Sequence, residues 1–346
     1  MNTRIARLRE SLEEPLLVTN GKNVVYLVGF QSSNVALLVD PERVQLFTDF
    51  RYIQAAQAVE GVEVVQTKRA VIGALAERLS GRRIGFEAAT LSYAQFETLR
   101  DGGLDLVPRT GLVESLRAVK DENELEAIRR ACAITDRVYD RLVEVPFVGR
   151  TERDVSWDLT RLYHEEGGED LAFESIVGAG PTGSRPHARA SERIIGTGEF
   201  VVVDSGCMVG GYMSDYTRTF ATGAVDGEMR EAYDVVLEAQ RAGLEAIRAG
   251  AAAIEVDAAA RAVVEGSPFA GTFGHGLGHG LGLDVHEEPR LSPETSDVLE
   301  PGNVVTVEPG VYLDGRFGVR IEDNVVVTAD GLENFTALRK DLVEVA

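Results

Sequence analysis

The chain has 346 residues, of which 44% are hydrophobic, so it can bury the core of two domains or of one large domain. A formal net charge of −21 disfavours binding to the phosphates of nucleic acids. No stretch approaches the ~20 apolar residues of a membrane helix, the first residues hold no apolar signal segment, and two cysteines make no disulfide framework, so we expect a cytoplasmic protein without membrane contact.

Residues 1–116 are predicted to form an α/β domain of their own, because strand-like and helix-like patterns alternate along them. The predicted strands are residues 23–30, 34–40 and 43–49, and the predicted helices are residues 51–59 and 93–100. This segment holds no cluster of histidines, cysteines or carboxylates. We therefore expect no catalytic site within it.

A different pattern begins near residues 115–122, where we place the domain boundary. Apolar residues at helical spacing predict an amphipathic helix with a stripe of Leu125, Ile128, Cys132, Thr135, Tyr139 and Leu142. A second helix should start at Thr151, which forms a start signal with Asp154. Further helices are predicted over residues 227–248 and 254–264, and strands over residues 199–204, 212–221, 303–308, 318–322 and 324–328.

Residues 271–289 contain three of the five histidines of the chain, His275, His279 and His286. Glycines fill alternate positions around them and would cost a helix roughly 1 kcal/mol each. We therefore predict a loop or irregular strand whose backbone bends tightly or lies close to something else. A nucleotide-binding glycine loop is disfavoured because no strand precedes the segment and no helix follows it. A flexible loop with incidental histidines stays as the alternative.

Two aspartates flank a predicted hairpin turn. Asp204 and Asp215 lie symmetrically about Val209–Gly210, so a turn centred there would place them opposite each other. Opposed residues on one face have Cβ atoms ~5 Å apart. Two carboxylates that close repel each other, and a bound cation would remove the repulsion.

Two glutamates repeat this arrangement. Glu308 and Glu322 lie symmetrically about Gly315, and Arg320 should project from the same face as Glu322. Any one of these acids could instead belong to a solvated hairpin face. Together with His279, the four carboxylates offer a mostly oxygen ligand set whose four negative charges two divalent ions would balance. Such a site suits Mn²⁺, with Co²⁺ or Zn²⁺ as alternatives.

These motifs resemble those of a known family. "HGLGHGLGLDVHE" looks like the signature of the proline-specific branch of the pita-bread metallopeptidases, which contains the Xaa-Pro dipeptidases and aminopeptidase P. "VVVDSGCMVGGYMSDYTRTF" resembles the first metal-binding hairpin of that family, and "TVEPGVY" with "GVRIED" resembles the second. "NVVYLVGF", "LFTDFRY" and "LRAVKDENELEAIRRA" are similar to its N-terminal domain and junction.

The resemblance implies an α/β (α+β) fold, with a creatinase-like α/β domain at residues 1–116 and a pita-bread catalytic domain at residues 117–346. It implies two divalent metal ions per chain, bridged by water or hydroxide. The metal ligands would be divided as follows: Asp204 on one ion, His279 and Glu308 on the other, and Asp215 and Glu322 on both.

The resemblance also implies roles around the metals. His187 would face the substrate, and His286 would contact the scissile carbonyl or shuttle a proton. His275 would lie beside the proline pocket, with Phe273 and Leu277 as its apolar wall. The remaining implied positions are Glu308 as proton acceptor, Tyr212 as a substrate-binding residue and Arg320 as a catalytic support.

The function implied is hydrolysis of the peptide bond preceding proline in short peptides, with release of the first residue, by a homodimer. Whether the enzyme is a dipeptidase or an aminopeptidase P stays open, although Arg189 is one candidate for holding a product carboxylate. The alternatives are an aminopeptidase of broader specificity, such as a methionine aminopeptidase, and a non-catalytic or metal-free protein of the same fold.

Overall fold

A computed structural model describes residues 3–346, and the chain divides into two units after Arg117. The first unit contains a six-stranded sheet with the order β4-β3-β2-β1-β5-β6. Its strands are β1 (Leu16–Val18), β2 (Val35–Val39), β3 (Val44–Asp49), β4 (Glu63–Thr67), β5 (Arg83–Glu87) and β6 (Asp105–Arg109). Its helices are α1 (Thr3–Glu10), α2 (Gly21–Val28), α3 (Ile53–Ala56), α4 (Val71–Arg78), α5 (Tyr93–Asp101) and α6 (Glu114–Ala118).

Of the five elements predicted for this unit, three are confirmed, one is shorter than predicted and one is of the wrong type. Residues 34–40, 43–49 and 93–100 form β2, β3 and α5, but the helix predicted over residues 51–59 is only the four-residue α3. The strand predicted over residues 23–30 is wrong, because residues 23–28 belong to helix α2. Asn20 caps that helix and Gly29 ends it with a φ of 68°. The buried positions also follow helical spacing, and these are Asn23, Val24, Tyr26 and Leu27.

The second unit holds four long helices and several small sheets. Its helices are α7 (Glu122–Leu142), α8 (Glu152–Glu166), α9 (Gly227–Ala246) and α10 (Ala253–Glu265). These helices confirm the predicted ones, and Thr151 caps α8 through its hydrogen bond with Asp154 as expected. Its strands are β7 (Asp170–Leu171), β8 (Ile176–Ala179), β9 (Phe200–Ser205), β10 (Cys207–Val209), β11 (Tyr212–Met213), β12 (Tyr216–Ala221), β13 (Gly278–Gly280), β14 (Glu287–Leu291), β15 (Val304–Val307), β16 (Gly310–Leu313), β17 (Phe317–Arg320), β18 (Asp323–Thr328), β19 (Gly331–Asn334) and β20 (Val343–Glu344).

The strands of the second unit form two main sheets that carry the acidic residues. One has the order β20-β12-β9-β8 and the other the order β14-β13-β15-β18-β19, while β16 and β17 form a hairpin. Helices α9 and α10 pack on each other and bury apolar side chains together with these strands. The shared core includes Val236, Ala239, Val256, Ala260, Val305, Val307, Val319 and Ile321. Asp204 on β9, Asp215 just before β12 and the glutamates of the second hairpin are therefore held by a packed apolar layer.

Both cysteines are free and buried, so neither contributes a cross-link. Cys132 lies on the apolar stripe of α7, as predicted. Among residues 3–346, no helix combines the length and the apolar character that a membrane crossing requires.

Candidate metal centre and substrate cavity

The first hairpin brings two aspartates together with a register that differs from the predicted one. Asp204 on β9 pairs with Thr217 on β12, and Met208 pairs with Met213, so the turn is centred on Gly210–Gly211. The prediction that Asp204 and Asp215 stand directly opposite each other is therefore wrong by two residues. Both turn glycines have positive φ angles, 59° and 84°, and this places the turn one residue later than the symmetry of the aspartates suggested.

Asp215 lies in the gap between β11 and β12, next to a close backbone contact. A Cβ atom on Gly206 would lie 1.8 Å from the carbonyl oxygen of Ser214, so only glycine allows this approach. The side chain of Asn324 holds both backbone groups of Asp215, accepting from its N–H at 3.0 Å and donating to its carbonyl at 2.6 Å. Asp215 therefore lies outside the strand ladder, and its hydrogen bonds with Asn324, not cross-strand pairing, fix its position.

The second hairpin has the predicted register. Val307 pairs with Asp323 and Gly310 pairs with Arg320, so the positions of Glu308 and Glu322 correspond across the hairpin. The turn contains Gly315 with a φ of 67°, as its Asp-Gly signal suggested. This confirms the symmetry that the sequence predicts for the two glutamates.

The glycine-histidine segment forms the short strand β13 and irregular backbone on either side of it, which confirms the predicted conformation. A Cβ atom at Gly278 would lie 2.0 Å from the carbonyl oxygen of Thr306, and one at Gly280 would lie 2.3 Å from that of Glu288. The glycines are thus needed for close approach to both neighbouring strands. This packing carries His279 between β14 and β15 and towards the acids.

His279 presents one ring nitrogen to the carboxylates. Its Nδ1 lies 3.0 Å from the carbonyl oxygen of Gly280, which can only accept, so Nδ1 carries the proton. Its Nε2 lies 3.3 Å from Glu308 Oε1 and 3.6 Å from Asp215 Oδ2. Metal-ligating histidines commonly have one nitrogen held by a carbonyl in this way.

The acids and His279 form one buried cluster that fits a cation. Ligand atoms of Asp215, His279 and Glu322 lie within 4.8 Å of one another. Asp204 Oδ1 is buried and has no hydrogen-bond partner among the described residues, which is costly for a carboxylate unless a ligand satisfies it. The oxygen-rich donor set with one imidazole suits a divalent metal ion.

The electrostatics of the cluster agree with this fit. Burial raises the pKa of Asp204, and burial with the charge of Asp204 raises the pKa of Asp215 well above its usual value. Burial and the charge of Asp215 do the same to the pKa of Glu322. Burial alone would lower the pKa of His279, but Glu308 and Asp215 raise it to about 9. Without a cation, the cluster therefore retains protons that a bound metal would displace.

Arg320 neutralises part of this charge from the second hairpin. Its Nη2 donates to Asp204 Oδ2 at 2.5 Å, and its Nη1 donates to the hydroxyl of Tyr312 at 2.9 Å. Tyr312 was not predicted as a site residue. Gly310 pairs with Arg320 across the hairpin, and a Cβ atom at Gly310 would lie 2.5 Å from the hydroxyl oxygen of Tyr312. This glycine in "EPGVY" was therefore the available signal for Tyr312.

Two threonines that sequence reasoning also missed orient the glutamates. The Thr217 hydroxyl donates to Glu322 Oε2 at 2.7 Å, and the Thr306 hydroxyl donates to Glu308 Oε1 at 3.2 Å. Thr306 lies two residues before Glu308 and therefore on the same strand face. This spacing was the signal from which its contact with Glu308 could have been predicted. Both threonines hold carboxylates in fixed orientations, as partners of metal ligands usually do.

The cluster lies in a cavity of about 930 Å³. The cavity is lined by all five predicted ligands and by four of the other predicted site residues, namely His187, His275, His286 and Arg320. Its apolar lining includes Phe173, Ile176, Val285 and Pro293. A cavity of this size with a few convergent polar groups is typical of a small-molecule site.

Three predicted contacts are not found in the cavity. The hydroxyl of Tyr212 donates to Glu124 Oε1 at 2.8 Å, and the residue does not line the cavity, so its predicted contact with substrate is not supported. Phe273 and Leu277 are buried in the apolar core and do not form the cavity wall. Phe273 instead packs edge-on behind His275, with 5.0 Å between the ring centroids.

His275 and His286 line the cavity in different settings. His275 Nδ1 lies 2.8 Å from the carbonyl oxygen of Gly276, and its Nε2 lies 3.0 Å from the Tyr312 hydroxyl. The ring centroid of His286 lies 4.2 Å from that of His279. Burial lowers the pKa of both His275 and His286, so both rings are neutral near pH 7.

Both halves of the chain match known families. Residues 126–329 match the model of metallopeptidase family M24, and residues 4–119 match the creatinase/prolidase N-terminal domain. The chain belongs to metallopeptidase family M24. Members of this family use divalent metal ions, and this membership favours an enzyme over a non-catalytic protein. The predicted combination of a creatinase-like domain with a pita-bread domain is confirmed.

Relatives of this M24 peptidase cover nearly its full length. The Xaa-Pro dipeptidase of Pyrococcus furiosus is 32% identical over 99% of this chain and 100% of its own. The structure of an Xaa-Pro dipeptidase from Bacillus anthracis is 36% identical, covers 99% of both chains and superposes with a TM-score of 0.96. The X-Pro aminopeptidase from Thermotoga maritima is 32% identical, covers 96% of this chain and 97% of its own, and has a TM-score of 0.87.

The raised pKa values of Asp215 and Glu322 predict an unusual pH dependence of stability. The folded metal-free protein binds protons that the unfolded chain has released, so its free energy of unfolding falls as pH rises above the ordinary carboxyl pKa of about 4. Metal binding requires deprotonated ligands and opposes this trend. We expect the difference in Tm between Mn²⁺-loaded and metal-free protein to increase between about pH 5 and about pH 8.

Calorimetry of both forms across this range measures that difference. The Glu322→Gln variant, which removes one raised carboxyl, should show a weaker pH dependence in its metal-free form. A Tm difference that stays constant with pH in the unmodified protein would contradict the prediction.

Proposed function

We propose that this chain is a dinuclear metal-dependent Xaa-Pro dipeptidase that cleaves the bond preceding proline and releases the first residue. The observation that carries the proposal is the cluster of one imidazole and four carboxylates in a cavity large enough for a short peptide. Four negative charges call for two divalent ions, of which Mn²⁺ suits the oxygen-rich donors best and Co²⁺ or Zn²⁺ are alternatives. The names of its relatives support the choice of substrate.

The proposed distribution of the ligands follows the two hairpins. Asp204 would hold one ion, His279 and Glu308 the other, and Asp215 and Glu322 both. When bound, the metals supply a water of lowered pKa and polarise the scissile carbonyl. Arg320 favours the ionised form of Asp204 and fixes the direction of its carboxylate through their 2.5 Å hydrogen bond.

The remaining side chains would handle protons and developing charge. Glu308, held by the Thr306 hydroxyl, is placed to accept a proton from the attacking water. His286 is neutral near pH 7, so a ring N–H can donate to the carbonyl oxygen as negative charge develops there. His187 lines the same cavity, from which it can contact the substrate.

The apolar lining suits a proline ring on the leaving-group side. Phe173, Ile176 and Val285 offer apolar surface, and His275 contributes a neutral ring. Proline has no backbone N–H, so a site for it needs no acceptor at that position. An alanine in its place would leave both its own N–H and part of this surface without a partner.

We expect Met-Pro to be cleaved and Met-Ala to be cleaved at least about 100-fold less efficiently. The alanine leaves its N–H unpaired and loses apolar contact that the proline ring makes with the cavity. Steady-state kcat/KM for the two dipeptides with Mn²⁺-loaded protein tests this. Comparable hydrolysis of both substrates would refute proline specificity and favour an aminopeptidase of broader specificity.

Arg290 favours a dipeptidase over an aminopeptidase. It is the cross-strand neighbour of His279 and it lines the cavity. Its side chain is 69% exposed, and its one ion pair within residues 3–346 is a 3.5 Å contact with Glu288. A guanidinium free to turn towards the ligand cluster can hold the carboxylate of a dipeptide. Arg189 also lines the cavity but is 84% exposed and lies 3.7 Å from Glu174, so it is the weaker candidate.

We expect Arg290→Ala to lower kcat/KM for Met-Pro by roughly 10- to 100-fold, the effect of losing a charge-assisted hydrogen bond. A tripeptide such as Met-Pro-Ala should lose less, because its carboxylate lies one residue further along. Arg189→Ala is the matched control and should change neither substrate. Equal losses for both peptides in the Arg290 variant would remove the argument for a dipeptidase.

Assembly and location are proposed on the family resemblance. We propose a cytoplasmic homodimer whose catalytic unit is residues 117–346 and whose creatinase-like domain is residues 1–116. The net charge of −21 supports a protein with no affinity for nucleic acid. Light scattering on the purified chain tests the dimer.

A further inference from the structure

Helix α10 carries a buried ion pair that faces the segment leading into β13. Arg261 donates through Nε and Nη2 to the two carboxylate oxygens of Asp257, each at 2.8 Å. Asp257 is buried, and the side chain of Arg261 is only 22% exposed. Two parallel hydrogen bonds fix the plane of the guanidinium and therefore the direction of its remaining donors.

The pair holds three backbone groups of residues 273–277. Arg261 donates through Nη1 to the carbonyl of Phe273 and through Nη2 to the carbonyl of His275, both at 2.7 Å. Asp257 Oδ1 accepts the N–H of Leu277 at 2.9 Å. Residues 273–277 belong to no strand, so the side chains of Asp257 and Arg261 supply the hydrogen bonds that a neighbouring strand would otherwise provide.

These contacts fix the backbone of His275, while separate contacts fix its ring, and Arg261 itself also lines the cavity. Its Nδ1–H donates to the carbonyl oxygen of Gly276 at 2.8 Å, so the Tyr312 hydroxyl donates to Nε2 of the neutral ring at 3.0 Å. The Arg261 guanidinium also lies 4.3 Å from the centroid of Phe273, the ring that packs against His275. The backbone of His275, its imidazole ring and the packed ring of Phe273 are all held by these contacts. They fix His275 in one position in the cavity wall.

We propose that Asp257 and Arg261 are positioning residues that set the preference for proline by holding His275 in the wall of the cavity. The inference rests on the proposed function and names the residues that determine the selectivity of that site. Neither residue is among the ligands or the proposed proton-transfer groups. Arginine is required because one planar guanidinium serves the carboxylate and two carbonyls at once, which the single ammonium of lysine does not.

The test compares Arg261→Met with the unmodified protein on Met-Pro and Met-Ala. We expect kcat/KM for Met-Pro to fall by roughly 10- to 100-fold, mainly through KM, because a small displacement of a wall residue weakens binding of the ring. Met-Ala should change little, so the Pro/Ala ratio falls. Manganese content, measured by elemental analysis, should equal that of the unmodified protein, since none of the five ligands contacts Arg261.

Arg161→Met is the control, because Arg161 also pairs with a carboxylate one helical turn away, in this case Glu165 at 2.7 Å on α8. It should leave the Pro/Ala ratio unchanged. Arg261→Lys keeps a charge beside Asp257 and should show an intermediate ratio, and it also serves if Arg261→Met does not fold. An unchanged ratio in both Arg261 variants, or equal losses for both substrates, would overturn the inference. Absence of a Pro/Ala preference in the unmodified protein would instead overturn the proposed function.

Discussion

Replacing Asp215 with alanine is expected to abolish both metal binding and peptidase activity. Asp215 is buried beside His279 and Glu322, and it is the proposed bridging ligand between two ions. Its loss leaves each ion one ligand short, and the metals are worth several kcal/mol of transition-state stabilisation. We expect a fall in kcat/KM of more than about 10³-fold, since each ~1.4 kcal/mol is tenfold. Elemental analysis and Met-Pro hydrolysis measure the two effects.

Asp234→Ala is the matched control, because Asp234 is an exposed acid on α9 and does not line the cavity. It should retain both metal and activity. Chelation of the unmodified protein should reproduce the loss seen in Asp215→Ala, and Mn²⁺ or Co²⁺ should restore activity only in the unmodified protein. Full activity in protein shown to be free of metal would refute the dinuclear proposal.

Replacing His286 with alanine should separate catalysis from metal binding. His286 lines the cavity with its ring centroid 4.2 Å from that of His279, but it is not one of the proposed ligands. The variant should keep the metal content of the unmodified protein and lose roughly 10²- to 10³-fold in kcat, as when one oxyanion-stabilising donor is removed. Metal analysis together with steady-state kinetics checks both parts.

His164→Ala provides the control, because His164 is exposed on α8 and does not line the cavity. It should change neither metal content nor rate. If His286→Ala emptied the site of metal, the assignment of His279 as the sole imidazole ligand would be wrong. If it left kcat unchanged, the donor to the developing oxyanion would have to be another group.

The cluster of His279 and four carboxylates was largely predictable because its residues occur in short patterns with local causes. The acids of the second hairpin are symmetric about an Asp-Gly turn, and that turn sets their register directly. The glycines around His279 indicate a backbone that lies close to neighbouring strands, since a side chain at these positions would clash with them. The strand predicted over residues 23–30 was wrong because β-branched composition outweighed the Asn20 and Gly29 helix boundaries.

The remaining site features depend on contacts between distant parts of the chain. Tyr312 links Arg320 to His275, and Asp257 with Arg261 holds the backbone of residues 273–277 from another helix. Nothing in the spacing of Asp257 and Arg261 distinguishes them from an ordinary solvated helix pair. Their role follows from which face of α10 packs against the sheet, and this is set by burial of the whole apolar layer.

By itself, the sequence determined the residue types of the cluster, the register of the second hairpin and the close backbone approach around His279, because each depends on the geometry of a turn or strand a few residues long. Only the tertiary structure decided that Asp204 pairs with Thr217, that Tyr212 turns towards Glu124, and that Phe273 packs behind His275. The physical reason is that a one-residue shift in a glycine turn moves a cross-strand partner by two positions. Side-chain direction in a packed core is likewise set by volumes that neighbouring helices and sheets contribute together.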